Sequence, residues 1–120
     1  MVSGAVYAAA NAFNLICMIA GQYEGGVSVR PPNPEQLVLV VDLSAGRYCY
    51  DRCWETELIS HVTDQEIFFI SKTSEPASEV LSVNRESGNL TWHLGINEDE
   101  RQWFGICNKA EFTGFPSKKF

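Results

Sequence analysis

The stretch Leu37-Val38-Leu39-Val40-Val41-Asp42-Leu43-Ser44-Ala45-Gly46-Arg47-Tyr48-Cys49-Tyr50 decides the fold class. Leu37, Leu39, Val41 and Leu43 occupy alternate positions, with Asp42 and Ser44 on the opposite side. A period of two puts every second side chain on one face of a strand, so this is a strand with one buried side. Ser44-Ala45-Gly46 is a turn, and Arg47-Tyr48-Cys49-Tyr50 returns antiparallel to it.

The same unit recurs downstream. Leu58–Thr63 and Ile67–Lys72 flank the turn at Asp64-Gln65, and Val80–Arg85 and Leu90–Leu94 flank Glu86-Ser87-Gly88-Asn89. Gln102–Cys107 makes a last strand, and Phe13-Asn14-Leu15-Ile16-Cys17 makes the first. Hairpins repeating every ~8–12 residues, with no helix between them, predict an all-β fold. The count of about eight strands is the number that closes a small up-and-down antiparallel barrel, with an open sandwich as the alternative. Ser3 is placed to cap a short N-terminal helix over residues 4–12, where three consecutive alanines favour it. Gly21 to Pro34 holds three glycines and three prolines and reads as a loop. The aromatic tail, Phe112-Thr113-Gly114-Phe115-Pro116 with Phe120, is expected to cover an end or an edge of the barrel.

The totals agree with one β-barrel domain over residues 1–120. The chain has 120 residues, 45% apolar and 20% charged, enough to bury one core. The net charge of −6, with only Lys118 and Lys119 adjacent among the cations, excludes a phosphate-binding stripe and argues against a nucleic-acid partner. Val2 to Gly21 carries no charge, but Ser3, Asn11, Asn14 and the small residues dilute it too far for a transmembrane span. Ala10-Asn11-Ala12 resembles a small-residue cleavage site, yet no Lys or Arg precedes it as a signal peptide would require. The expected setting is soluble and cytoplasmic as the chain stands, or periplasmic or secreted if exported.

Four cysteines, Cys17, Cys49, Cys53 and Cys107, are disulfide candidates with three possible pairings. Cys49 and Cys53 would lie ~13 Å apart in a straight strand, so a bond between them requires a bend at Tyr50-Asp51-Arg52. Cys17 and Cys107, in the first and last strands, meet if the barrel closes there. Free thiols, or a metal site from Cys49, Cys53, His61 and His93, are the competing readings; the spacing lacks a second matching pair. No serine is recognisably paired with His and Asp, no phosphate loop is present, and Asn89-Leu90-Thr91 is a glycosylation-type triplet at a turn. No catalytic residue and no cofactor is therefore assigned.

Several stretches together resemble a group of small bacterial all-β proteins, a domain of unknown function. They are Phe13–Cys17, Val41–Cys49 with Cys53, Val83-Asn84-Arg85-Glu86-Ser87-Gly88, and Gly105-Ile106-Cys107 followed by Phe112–Pro116. Many of the group are expected to be exported. A looser resemblance, in architecture alone, runs to lipocalin-like barrels and to small barrel-shaped inhibitors of bacterial lysozyme.

The expected function is a non-catalytic binding or protein-interaction module. The alternatives are a ligand-carrying lipocalin-like barrel or, behind it, a small metal-binding protein or enzyme. Tyr50, Trp54, Trp92 and Trp103 are the candidate ligand-binding residues, because aromatics supply large contact area. Phe68 and Phe69 must point to opposite faces; an outward one beside Val38 and Val40 would mark docking or a homodimer. The partner is a protein or a small apolar ligand. The loop 21–34 and the bend 50–54 are the expected mouth elements.

Overall fold

A computed structural model describes residues 11–29, 35–74, 77–97 and 99–115. The strands are β1 (Ala12–Glu24), β2 (Val27–Val29), β3 (Glu35–Asp42), β4 (Arg47–Tyr50), β5 (Glu57–Leu58), β6 (His61–Val62), β7 (Glu66–Ser74), β8 (Ala77–Asn84), β9 (Asn89–Ile96) and β10 (Asp99–Ala110). They form one antiparallel sheet in the order β5-β4-β3-β1-β10-β9-β8-β7-β6, with β2 paired to the upper part of β1. The sheet curls into a half-barrel. β5 and β6 are pieces of a single segment, 57–62, so one end of the sheet runs directly into the other. Residues 57 and 58 pair with β4, and residues 61 and 62 pair with β7.

The curl gives the sheet an inner and an outer face. Phe13, Leu15, Cys17 and Ile19 of β1 point inward, alternating as a half-buried strand must. Opposite them come Leu39 and Val41, then Tyr48, Ile67, Phe69, Leu81, Val83 and Leu90, all buried. At ~1.5–3 kcal/mol for each large apolar side chain, this interior supplies the main drive for folding. β7 carries a bulge at Phe69, between the Phe68–Ser82 and Ile70–Leu81 pairs. Phe69 and Ile70 consequently both meet the core, which strict alternation would forbid.

One expectation is corrected. Residues 21–29 are not a loop: β1 continues through a bulge at Ala20 to Glu24 and turns back as β2. Gly25 and Gly26, at φ +58° and +80°, make the two-residue turn that this hairpin needs. Residues 30–34 lie outside the description. The expected helix over residues 4–12 falls outside it too, except for its last two positions, of which Ala12 begins β1. No helix among the described residues is long and apolar enough to cross a membrane.

Both anticipated cysteine pairs form. Cys17 and Cys107 face each other in the β1–β10 register and are bonded. Cys49 and Cys53 are bonded across a bend, with Cα atoms 5.8 Å apart. Arg52 sits at φ +62° to make that bend. Of the aromatic tail, the described part at Thr113 lies over the outer face at Asn14, a buried polar residue. The Thr113 amide donates to Asn14 Oδ1 at 3.2 Å, and Asn14 Nδ2 donates to Thr113 Oγ1 at 3.0 Å. Two such bonds satisfy a side chain that burial would otherwise penalise.

Candidate functional site

Tyr48 and Tyr50 share the inner side of β4 because they are two residues apart. Their rings stand at 83° with centroids 6.0 Å apart, and Tyr48 also meets Phe69 at 5.0 Å. They form two walls of a cleft of about 440 Å³ between β4 and β7, also lined by Glu57, Glu79, Lys72 and Ile70. Burial pushes both phenols above their ordinary pKa of 10.0, and the negative charges of Glu57 and Glu79 push the same way, so both rings stay neutral at physiological pH. Glu79 accepts a hydrogen bond from Trp92 Nε1 at 2.9 Å, and Trp92 packs on Trp103 at 5.5 Å.

Three of the four expected ligand-binding residues therefore lie on the inner face, connected through Glu79. The fourth does not join them: Trp54 is 97% exposed in the disulfide-closed loop after β4. Sequence reasoning missed Glu79. Its signal was an acid in register with inward positions of β8, two residues before the buried Leu81.

The histidines separate from the cysteines. Cys49 and Cys53 are bonded to each other, so their thiolates are not free to ligate a metal. His61 stacks on Phe68 with centroids 4.3 Å apart, and its Nδ1 lies 3.4 Å from the exposed Ser60 hydroxyl. His93 lies 3.8 Å from Glu100. Among the described residues no group of three or more His, Cys, Asp or Glu is placed to hold a metal ion.

The outer face presents a second candidate. Ile16 and Met18 of β1 fall out of phase with the buried Leu15, Cys17 and Ile19, so they point outward. Ile16 is beside Val38 of β3, and Met18 is beside Ile106 of β10. Farther along, Phe104 meets Tyr23 edge to face at 5.6 Å. Ile16, Met18, Tyr23, Phe104 and Ile106 are each 37–46% exposed. The outward strip anticipated from Phe68, Val38 and Val40 is thus differently composed. Val38 belongs to it, Val40 is buried beside Asn14, and Phe68 is covered by His61 on another strand.

Comparison with protein-family models, with curated proteins and with solved structures finds no match for this chain.

Proposed function

We propose that the chain is a non-catalytic protein-interaction module that docks through its outward apolar strip on β3, β1 and β10. The observation that carries this reading is the contiguity of Ile16, Met18, Ile106, Phe104 and Tyr23 on adjacent strands. Single exposed apolar residues are ordinary, whereas a connected patch with polar surroundings is what partner surfaces look like. Gln36, Asn108 and Thr91 supply that polar surround. The interior supports docking from outside over carriage within. Phe69, Leu39, Leu81, Leu90 and Val41 are fully buried in one cluster, which leaves the centre of the sheet's inner face packed. The net charge of −6 works against self-association and favours a different protein as partner.

The test places a photo-crosslinking residue at Met18 and, as a control, at Trp54. The Met18 probe should capture one defined species that the Trp54 probe does not. That species, purified, should bind the wild type at least ~10-fold more tightly than the pair Ile16→Lys and Ile106→Lys. Equal binding by wild type and variant refutes the docking face. Sedimentation velocity should find a monomer; a dimer dispersed by the same lysines would replace the foreign partner with a second copy.

A further inference from the structure

The cleft between β4 and β7 lies on the face opposite the apolar strip and carries a chemistry of its own. β7 is paired with β6 only at Ile67 and Phe68. Beyond them, from Ile70 to Ser74, the edge of β7 on the cleft side has no strand partner among the described residues. The opposite wall is the perpendicular pair of phenol rings.

Two carboxylates, those of Glu57 and Glu79, line the same cleft as those rings. Neither makes an ion pair among the described residues, where the ion pairs are His93 with Glu100 and Arg101 with Glu24. Lys72 is opposite Glu79 in the β7–β8 register and lines the same cleft, but it makes no ion pair there. The cleft thus holds two carboxylates against one ammonium, beside two neutral π faces.

An anion would be repelled from such a place, and a purely apolar group would strip water from the carboxylates without replacing it. A metal ion would want more donors than converge here. A positive group on an apolar stem suits the rings and the two carboxylates, whose combined charge outweighs that of the Lys72 ammonium. It meets the negative face of a phenol within ~6 Å of the ring centre, and a carboxylate at its head. Half-burial strengthens both attractions relative to open water.

We infer that this cleft is a recognition site for an organic cation, an alkylammonium or guanidinium group, seated on Tyr50 and held by Glu79. The group has two sources: a free amine, or a Lys or Arg side chain on an extended segment of a partner running along the open edge of β7. The inference stands apart from the docking strip, so loss of one leaves the other intact.

The experiment uses the full oxidised chain with Trp54→Phe, so that fluorescence reports Trp92, which is bonded to Glu79, and Trp103. Choline is titrated against its neutral isostere 3,3-dimethyl-1-butanol, and a short extended peptide with one central lysine against the same peptide with norleucine. At least one charged probe should bind ~10-fold more tightly than its neutral counterpart, and added salt should weaken it. Tyr50→Leu and Glu79→Gln should each weaken binding by roughly 10-fold, while Tyr50→Phe keeps it, because the ring and not the hydroxyl is used. Far-UV circular dichroism checks that each variant is folded, and Tyr50→Phe keeps the test open if Tyr50→Leu is not. Binding of choline alone assigns a free amine, and binding of the peptide alone assigns a partner's side chain. The inference is overturned if neither charged probe exceeds its neutral counterpart, or if Glu79→Gln binds as the wild type does.

Discussion

Removing the Cys17–Cys107 bond should cost far more than removing Cys49–Cys53, and the difference can be worked from chain length. The first bond closes a separation of 90 residues and the second a separation of 4. In the chain-entropy account, a crosslink restricts the unfolded state by about 2.1 + 1.5R ln n cal/mol/K. At 25 °C this gives about 4.6 kcal/mol for the long closure and about 1.9 kcal/mol for the short one. Packing does not blur the contrast much, because Cys17, Cys107 and Cys49 are all at most 6% exposed and each pair loses buried sulfur. The variants are Cys17→Ala with Cys107→Ala, and Cys49→Ala with Cys53→Ala. Equilibrium urea unfolding, followed by tryptophan fluorescence, reads both. With a slope of ~1–3 kcal/mol/M, the first pair should lower the midpoint by roughly 2 M or more, and the second by about 1 M. A chain whose stability lies at the low end of the usual ~5–15 kcal/mol would lose its folded baseline altogether in the first variant. Equal losses, or a larger loss from the local pair, would refute the assignment of stability to the long closure.

Other consequences follow from single positions. A methyl group on Gly105 would run into the Met18 carbonyl and lie 3.1 Å from the Ile19 Cα, all backbone. Gly105→Ala should therefore destabilise by ~2 kcal/mol or more in urea unfolding. Gly46→Ala, where nothing lies within 4 Å and only the φ of +67° is violated, should cost only ~1 kcal/mol. Tyr48 and Tyr50 have folded pKa values raised above 10.0, so the unfolded chain loses these protons first. Stability is full below pH 10 and falls above it, at up to ~1.4 kcal/mol per pH unit for each phenol. Thermal melts of Tyr48→Phe should show a shallower alkaline decline. Asn14→Ala should release the tail at Thr113, seen as faster amide hydrogen exchange there and a stability loss of ~1–3 kcal/mol.

Much of the sheet is readable in the chain because the signals are local. The alternation at Leu37–Leu43 and the return at Arg47–Tyr50 are properties of neighbouring residues, and they emerge as β3 and β4. The turns at Asp64-Gln65 and Glu86–Asn89 likewise carry their own chemistry. The bend that allows Cys49 to reach Cys53 follows from strand length alone, and Arg52 provides it. Other features depend on pairing across the sheet. Gly21 looks like a break, yet it is accommodated opposite Phe104 once Ala20 bulges, and the strand goes on. The bulge at Phe69 changes the phase of β7, so Ile70 joins the core against alternation. Leu58–Thr63 reads as one strand, but the segment 57–62 divides its bonds between two distant partners. The aromatic residues were the least decipherable part of the candidate site, because Trp54 and Trp92 are equally hydrophobic and only the loop and the register send one outward and one inward.

The pairing of β1 with β10 has a consequence for how the protein comes into being. β1 takes one of its two neighbours from β10, the last of the described strands, through the register from Asn14–Ala110 to Glu24–Arg101. While the chain is being synthesised, residues 12–24 must wait, half partnered by β3, until residues 99–110 have left the ribosome. Chains grow at ~5–20 residues per second, so that exposed edge persists for several seconds. During this interval Ile16, Met18 and the free flank of β1 are open to any chaperone that recognises unpaired apolar strands, and to neighbouring nascent copies of the same chain.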